Sequence, residues 1–120
     1  MRRISGILLF TFLTFQLVSS GWLGIMIQDL SPKLAIRYGI PRSKGVVVTR
    51  VEFGSPAMEA GIQEGDLIIS LNTKEISDSE TLVKVVTKLS PGDEVPLTII
   101  RQRKTKHLEI LVGSSHRFAA

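Results

Sequence analysis

Gly54-Ser55-Pro56-Ala57-Met58-Glu59-Ala60-Gly61-Ile62-Gln63-Glu64-Gly65-Asp66-Leu67-Ile68-Ile69-Ser70-Leu71-Asn72 decides the fold of this chain. Ser55 and Pro56 are an N-cap and a first-turn proline, so they open a short helix, and Gly61 is a residue that can end one. Residues 66–71 then read as a buried strand that runs into a turn at Asn72-Thr73. A helix and a strand packed this closely, each bounded by glycine, indicate a small mixed domain.

The same signals repeat on either side. Upstream, Gly45-Val46-Val47-Val48-Thr49-Arg50-Val51 is β-branched and bounded by glycine, which predicts a buried strand. Before it, Ser31 and Pro32 open a short helix over 32–38 that Gly39 can close, and Pro41 forces an irregular link. Residues 23–28 alternate Leu/Gly/Ile/Met/Ile/Gln and read as the first strand. Downstream, Ser77-Asp78-Ser79 caps the longest helical pattern, 80–89, where Leu82, Val85, Val86 and Leu89 fall at i, i+3, i+4 and i+7. Pro91-Gly92 interrupts the chain, 95–100 and 108–112 read as a closing hairpin, and 114–120 as a disordered tail after a domain spanning 21–113. The order β-α-β-α-β-α-β-β predicts an α+β domain: a small, partly open barrel or sandwich of about five to six strands with one longer helix and one or two short ones.

Composition narrows the function. An apolar fraction of 43% and a charged fraction of 22% are those of an ordinary globular domain. The formal charge is +4, but Arg2 and Arg3 belong to the N-terminal segment; without them 13 basic and 11 acidic side chains remain, a net +2. That balance is too slight for a nucleic-acid partner. The one basic cluster, Arg101-Gln102-Arg103-Lys104-Thr105-Lys106-His107, lies between apolar runs and reads as a solvated hairpin tip. The acids Glu64 and Asp66, like Asp93 and Glu94, fall at turns and strand starts and read as solvated. With no cysteine, disulfides and cysteine-held metals are excluded, and nothing calls for a cofactor.

Met1-Arg2-Arg3 precedes a largely apolar run over 4–18 and then Ser19-Ser20-Gly21. This is the pattern of a secretory signal, with an uncleaved membrane anchor or a gene-start artefact as the alternatives. Thr11, Thr14 and Gln16 dilute the run, and it is shorter than the roughly 20 residues a spanning helix needs. The expected location is exported, periplasmic or extracellular, or tethered to a membrane by 4–18.

Trp22-Leu23-Gly24-Ile25 running into Gln28-Asp29-Leu30, together with Gly-Ser-Pro-Ala, then Gly61, then Gly65-Asp66, resembles the PDZ domain of bacterial HtrA/Deg-type serine proteases over 21–113. The resemblance implies a groove that binds the C-termini of peptides. A free carboxylate needs converging N–H donors, and a glycine turn supplies them because no Cβ obstructs the approach. The resemblance assigns this role to Leu23, Gly24 and Ile25. The peptide then adds as a strand beside Ile25, Met26, Ile27 and Gln28, with Leu23, Ile25, Ile27, Leu82, Val85 and Val86 around its terminal side chain. Helical period alone leaves open which of these helix residues serve the groove and which the core. Replacing Gly24 with a bulky β-branched residue is expected to abolish binding and leave the fold intact.

The chain departs from the family pattern in two ways. The family's basic residue before the glycine turn is replaced by Ser19, Ser20 and Gly21. The histidine that selects Ser or Thr two residues from a peptide's end is replaced by Ser79, Glu80 and Thr81, so an apolar residue is expected at that peptide position. His107 and His116 are the only histidines and no Gly-Xaa-Ser-Gly segment occurs, so the chain by itself is read as non-catalytic. The expected partners are C-terminal peptides of unfolded or envelope proteins and a protease that the domain serves. Three readings stand together: an adaptor or regulatory module, a fragment of a longer HtrA/Deg-type protease, and an assembly module.

Overall fold

The computed structural model of the chain describes residues 21–114. Along them run β1 (Gly21–Trp22), β2 (Ile25–Asp29), α1 (Pro32–Tyr38), β3 (Val46–Val51), α2 (Pro56–Ala60), β4 (Leu67–Leu71), β5 (Lys74–Glu75), α3 (Ser79–Thr87), β6 (Glu94–Arg101), β7 (Lys104–Leu111) and β8 (Gly113–Ser114). Five strands form an antiparallel sheet in the order β2-β3-β4-β6-β7, with β5 hydrogen-bonded to β4. β1 and β8 pair apart from it as a short antiparallel ribbon. The sheet is open, so β2 and β7 are its edges; the fold is α+β and not a closed barrel.

Local chemistry sets the helix ends. Ser31 Oγ accepts from Leu34 N at 3.2 Å, Ser55 Oγ from Met58 N at 3.1 Å, and Asp78 Oδ1 from Thr81 N at 2.8 Å. Each bond satisfies a first-turn N–H that has no partner inside its helix. Gly39 and Gly61, at φ 65° and 93°, close α1 and α2 in the left-handed conformation open to glycine. α3 stops at Thr87, two residues short of the periodic pattern. Leu89 lies just beyond it and is buried, so its place in the pattern comes from the core.

The sheet has a core on each face. Val46 and Val48 join Leu23, Ile68, Leu82, Leu97, Ile99 and Ile110 on one side. Val47 joins Ile40, Leu67 and Ile100 under α1 on the other. Burial on both faces explains why β3 opens as three consecutive valines rather than an alternation.

The structure corrects four sequence expectations. The first strand is split, because the backbone turns at Leu23-Gly24 between β1 and β2, with Gly24 at φ +82°. The segment after the hairpin begins as a strand: Gly113 and Ser114 pair with Trp22 and Gly21. The readings for 1–20 and 115–120 lie outside the described residues.

The other two concern charge. Asp66 is not solvated; it is 1% exposed. Arg101 is not part of the solvated tip. Its Nε donates to Asp66 Oδ1 at 2.8 Å, and its Nη2 donates to Asp66 Oδ2 and the Gly61 carbonyl, both at 2.7 Å. Gln63 N donates to Asp66 Oδ2 at 2.8 Å. The two-pronged bond to Asp66 raises the Arg101 guanidinium above its already high pKa. This node ties the α2–β4 link to the end of β6.

Candidate functional site

A cleft of ≈ 170 Å³ runs between edge strand β2 and helix α3. An apolar cavity of about 150 Å³ holds a benzene molecule, so the cleft has room for one large apolar side chain. Leu23, Ile25 and Ile27 form one wall, Leu82, Val83, Val86 and Thr87 the other, and Gly21, Trp22 and Gly24 close the end. No lining residue carries an ionisable side chain, so a carboxylate there would meet uncharged donors alone, backbone N–H groups among them.

The turn at Leu23-Gly24 has such N–H groups. Its two carbonyls are engaged inward: Ala57 N donates to Leu23 O at 3.0 Å and Glu52 N to Gly24 O at 2.8 Å. The N–H groups of the same residues donate to no acceptor among the described residues. Antiparallel pairing extends the row of donors. Because Glu52 N bonds Gly24 O, the next pair, Ile25 and Val51, is the non-hydrogen-bonded kind, and Ile25 N–H points away from β3. From the other end, Leu30 N bonds Gly45 O, which gives Ile27 the same outward aspect. Thr49 is the extra residue of a bulge between these stretches, and its Oγ1 donates to Met26 O at 3.3 Å.

Glycine is required at position 24. A Cβ built there collides with the Ser55 Cβ, lies 2.9 Å from Ser55 Oγ, and would sit at φ +82°. Ser55 is itself fully buried as the cap of α2. A β-branched residue at 24 therefore disturbs the fold as well as the turn, which overturns the expectation of an intact fold.

Of the residues singled out from sequence, Leu23, Gly24, Ile25, Ile27, Leu82 and Val86 meet in the cleft. Met26 and Gln28 lie on the same strand with side chains exposed on its other face, Met26 at 59%. Val85 is misplaced: it turns to a separate surface beside Asn72, Lys74, Thr81 and Lys88. Val83 takes the groove position instead, 52% exposed. One residue is 100° on a helix, so the apolar pattern straddled both faces; Val83 and Thr87 share the i, i+4 stripe beside Leu82 and Val86.

Asp29 was also missed. Its Oδ1 accepts from Ser79 N at 2.6 Å and joins the end of β2 to the start of α3. Asp78 holds the same turn through Thr81 N and Thr81 Oγ1, and these bonds pull its carboxyl below the ordinary range. The two acids brace the far end of the cleft.

Residues 21–112 match the family model of the PDZ domain. Two relatives are each named a probable periplasmic serine endoprotease DegP-like. The one from Pseudomonas fluorescens is 38% identical over 97 residues, or 81% of this chain and 20% of the relative. The one from Hahella chejuensis is 35% identical over 96 residues, or 80% of this chain and 20% of the relative. The chain thus spans about a fifth of the length of the curated relatives it matches. Among solved structures, the HtrA-type protease AlgW with decapeptide superimposes at TM-score 0.77 with 31% identity, covering 81% of this chain and 30% of that one. The HtrA3 PDZ domain bound to a phage-derived ligand, FGRWV, superimposes at TM-score 0.68 with 27% identity, covering 83% of this chain and 93% of that one.

Proposed function

Because the chain belongs to the PDZ domain family, we propose that it captures apolar peptide C-termini by strand addition to β2. The observation that supports this is the Leu23-Gly24 turn, whose carbonyls accept from Ala57 and Glu52 while its own N–H groups have no acceptor among the described residues, and whose residues line an apolar cleft. The terminal carboxylate takes the donors of Leu23, Gly24 and Ile25, and the last side chain enters between Ile25, Ile27, Leu82 and Val86. The peptide backbone pairs with the outward groups of Ile25 and Ile27. An apolar residue is favoured two places before the end, where the opening turn of α3 carries Ser79, Glu80 and Thr81.

The ligands proposed are tails of unfolded or misassembled exported proteins, with the domain an adaptor or the regulatory part of an HtrA/Deg-type protease system. The periplasmic protease names of the relatives support that setting. One buried side chain contributes roughly 1.5–3 kcal/mol, and with strand pairing the expected affinity is micromolar, on the order of −8 kcal/mol. Titration with matched apolar peptides, free-acid and C-terminally amidated, tests it. Loss of binding on amidation is the expected result; equal binding would favour an assembly surface that does not read termini.

A further inference from the structure

Side chains of β2 alternate between two faces. Ile25 and Ile27 pack toward the α3 side with the main core, while Met26 and Gln28 point the opposite way. A strand added to the open edge of β2 carries the same alternation. If the last residue of a ligand enters the cleft, the residue before it lies on the Met26 face.

That face is not flat. A second cleft of ≈ 230 Å³ lies there, with Trp22, Met26, Arg50 and Glu52 around it, and meets the first at Gly24 and Ile25. Register sets Arg50 directly opposite Met26, and the bulge at Thr49 keeps it on that face. Arg50 is exposed, joins neither ion pair formed among the described residues, and donates no side-chain hydrogen bond there. Glu52 on the same wall is already engaged within the molecule.

The geometry points to Arg50 as a specificity residue for the penultimate side chain of the ligand, selecting an acidic one whose aliphatic stem lies over Met26. This rests on the groove reading above and refines its ligand class: an apolar last residue preceded by Asp or Glu. The chain so compensates, from β3, for the missing basic residue before the glycine turn, but directs the charge to the side chain rather than to the terminal carboxylate.

The test titrates the protein with free-acid peptides that share an apolar last residue and differ only in Glu, Ala or Lys before it, at low and at high salt. In the native protein, Glu should bind about threefold more tightly than Ala and Lys more weakly than Ala, with the spread closing at high salt. In Arg50→Glu the order should reverse, and in Arg50→Ala it should flatten; circular dichroism checks the fold of both. Binding of all three peptides with equal affinity, or a Glu preference that survives high salt or charge reversal, overturns the assignment of Arg50 and leaves the groove standing. Failure of every free-acid peptide to bind overturns both.

Discussion

At Asp66 the chain supplies both halves of a carboxylate site. The acid is buried, and Arg101 and the Gln63 N–H are fitted around it at 2.7–2.8 Å. At the Leu23-Gly24 turn it supplies only one half: donors and an apolar cleft, with no acid among the described residues to fill them. The chemistry is similar and the consequences are opposite. A closed site contributes to folding, because each partner would be costly to leave alone in the interior. An open one is kept in shape by neighbours whose own needs are met, here the capped start of α2 behind Gly24. On the proposed reading, recognition belongs to the open site and stability mainly to the closed one, the two meeting at Gly24, and the contrast can be broken at either end.

The largest effect belongs to the closed site. Arg101→Ala leaves Asp66 buried without its cation and should cost about 3–5 kcal/mol of unfolding free energy. Arg101→Lys should recover part of this but not the two-pronged geometry. Urea denaturation measures both. A loss under about 1 kcal/mol, the range of exposed pairs, would show that Asp66 is not a closed site at all. Next comes Gly24→Ala, where a single methyl meets Ser55 at a positive φ. Left-handed strain and overpacking together should cost about 2–4 kcal/mol, and peptide affinity should fall with it. An unchanged midpoint would show that the turn is not supported from behind by α2.

Val83→Lys separates the two properties. The residue is 52% exposed and lines only the cleft, so stability should move within about 0.5 kcal/mol. Affinity for an apolar terminus should nonetheless fall about tenfold as apolar contact is lost. If binding is unaffected, the wall of α3 is not where the ligand lies. A smaller change tests strain without function. Gln102 and Arg103 hold φ of 52° and 66° in the two-residue turn between Arg101 and Lys104. Replacing them with Asn-Gly, the residues that such turns favour, should add about 1 kcal/mol of stability and leave peptide affinity unchanged. Positive φ would then be a requirement at Gly24 and a dispensable cost at the hairpin.

What could be read from sequence follows the range of the interaction. Ser31 with Gly39, Ser55 with Gly61, and Asp78 act within three or four residues, so the helices announce themselves. The valines of β3 announce burial by composition alone. The pairing of Asp66 with Arg101 spans 35 positions and left no local mark, which is why both looked like surface charges. The two-residue strands β1, β5 and β8 are too short to show alternation, and their pairing is set by tertiary contact. On α3, period 3.6 marks an apolar stripe but not its bearing to within one residue, so Val85 and Val83 exchanged places while Leu82 and Val86, near the middle of the stripe, did not. The cleft was legible where glycine and β-strand chemistry define it, and not where helix rotation does.

The smallest effect concerns the first turn of α3. Asp78 caps it from just before the helix and Asp29 holds it from β2, so a charge on a half-buried acid steadies this turn. The bonds from Thr81 N and Thr81 Oγ1 favour the ionised form of Asp78, with a smaller contribution from Lys84, and its folded pKa lies below the unfolded value. A depressed carboxyl stabilises the fold above its unfolded pKa, about 3.9 for Asp, and loses that contribution as pH falls through the folded value. The contribution is therefore complete at neutral pH and fades as pH falls from about 5 toward the folded value. Asp78→Asn keeps a good capping oxygen without the titration. Denaturation midpoints of the two proteins should run nearly parallel from neutral pH to about pH 5, then converge or cross as the wild type loses its charge. Contributions from the rest of the molecule are common to both proteins and cancel in the difference. If the difference stays flat through the acid range, Asp78 caps α3 as a neutral oxygen would, and the groove owes nothing to that charge.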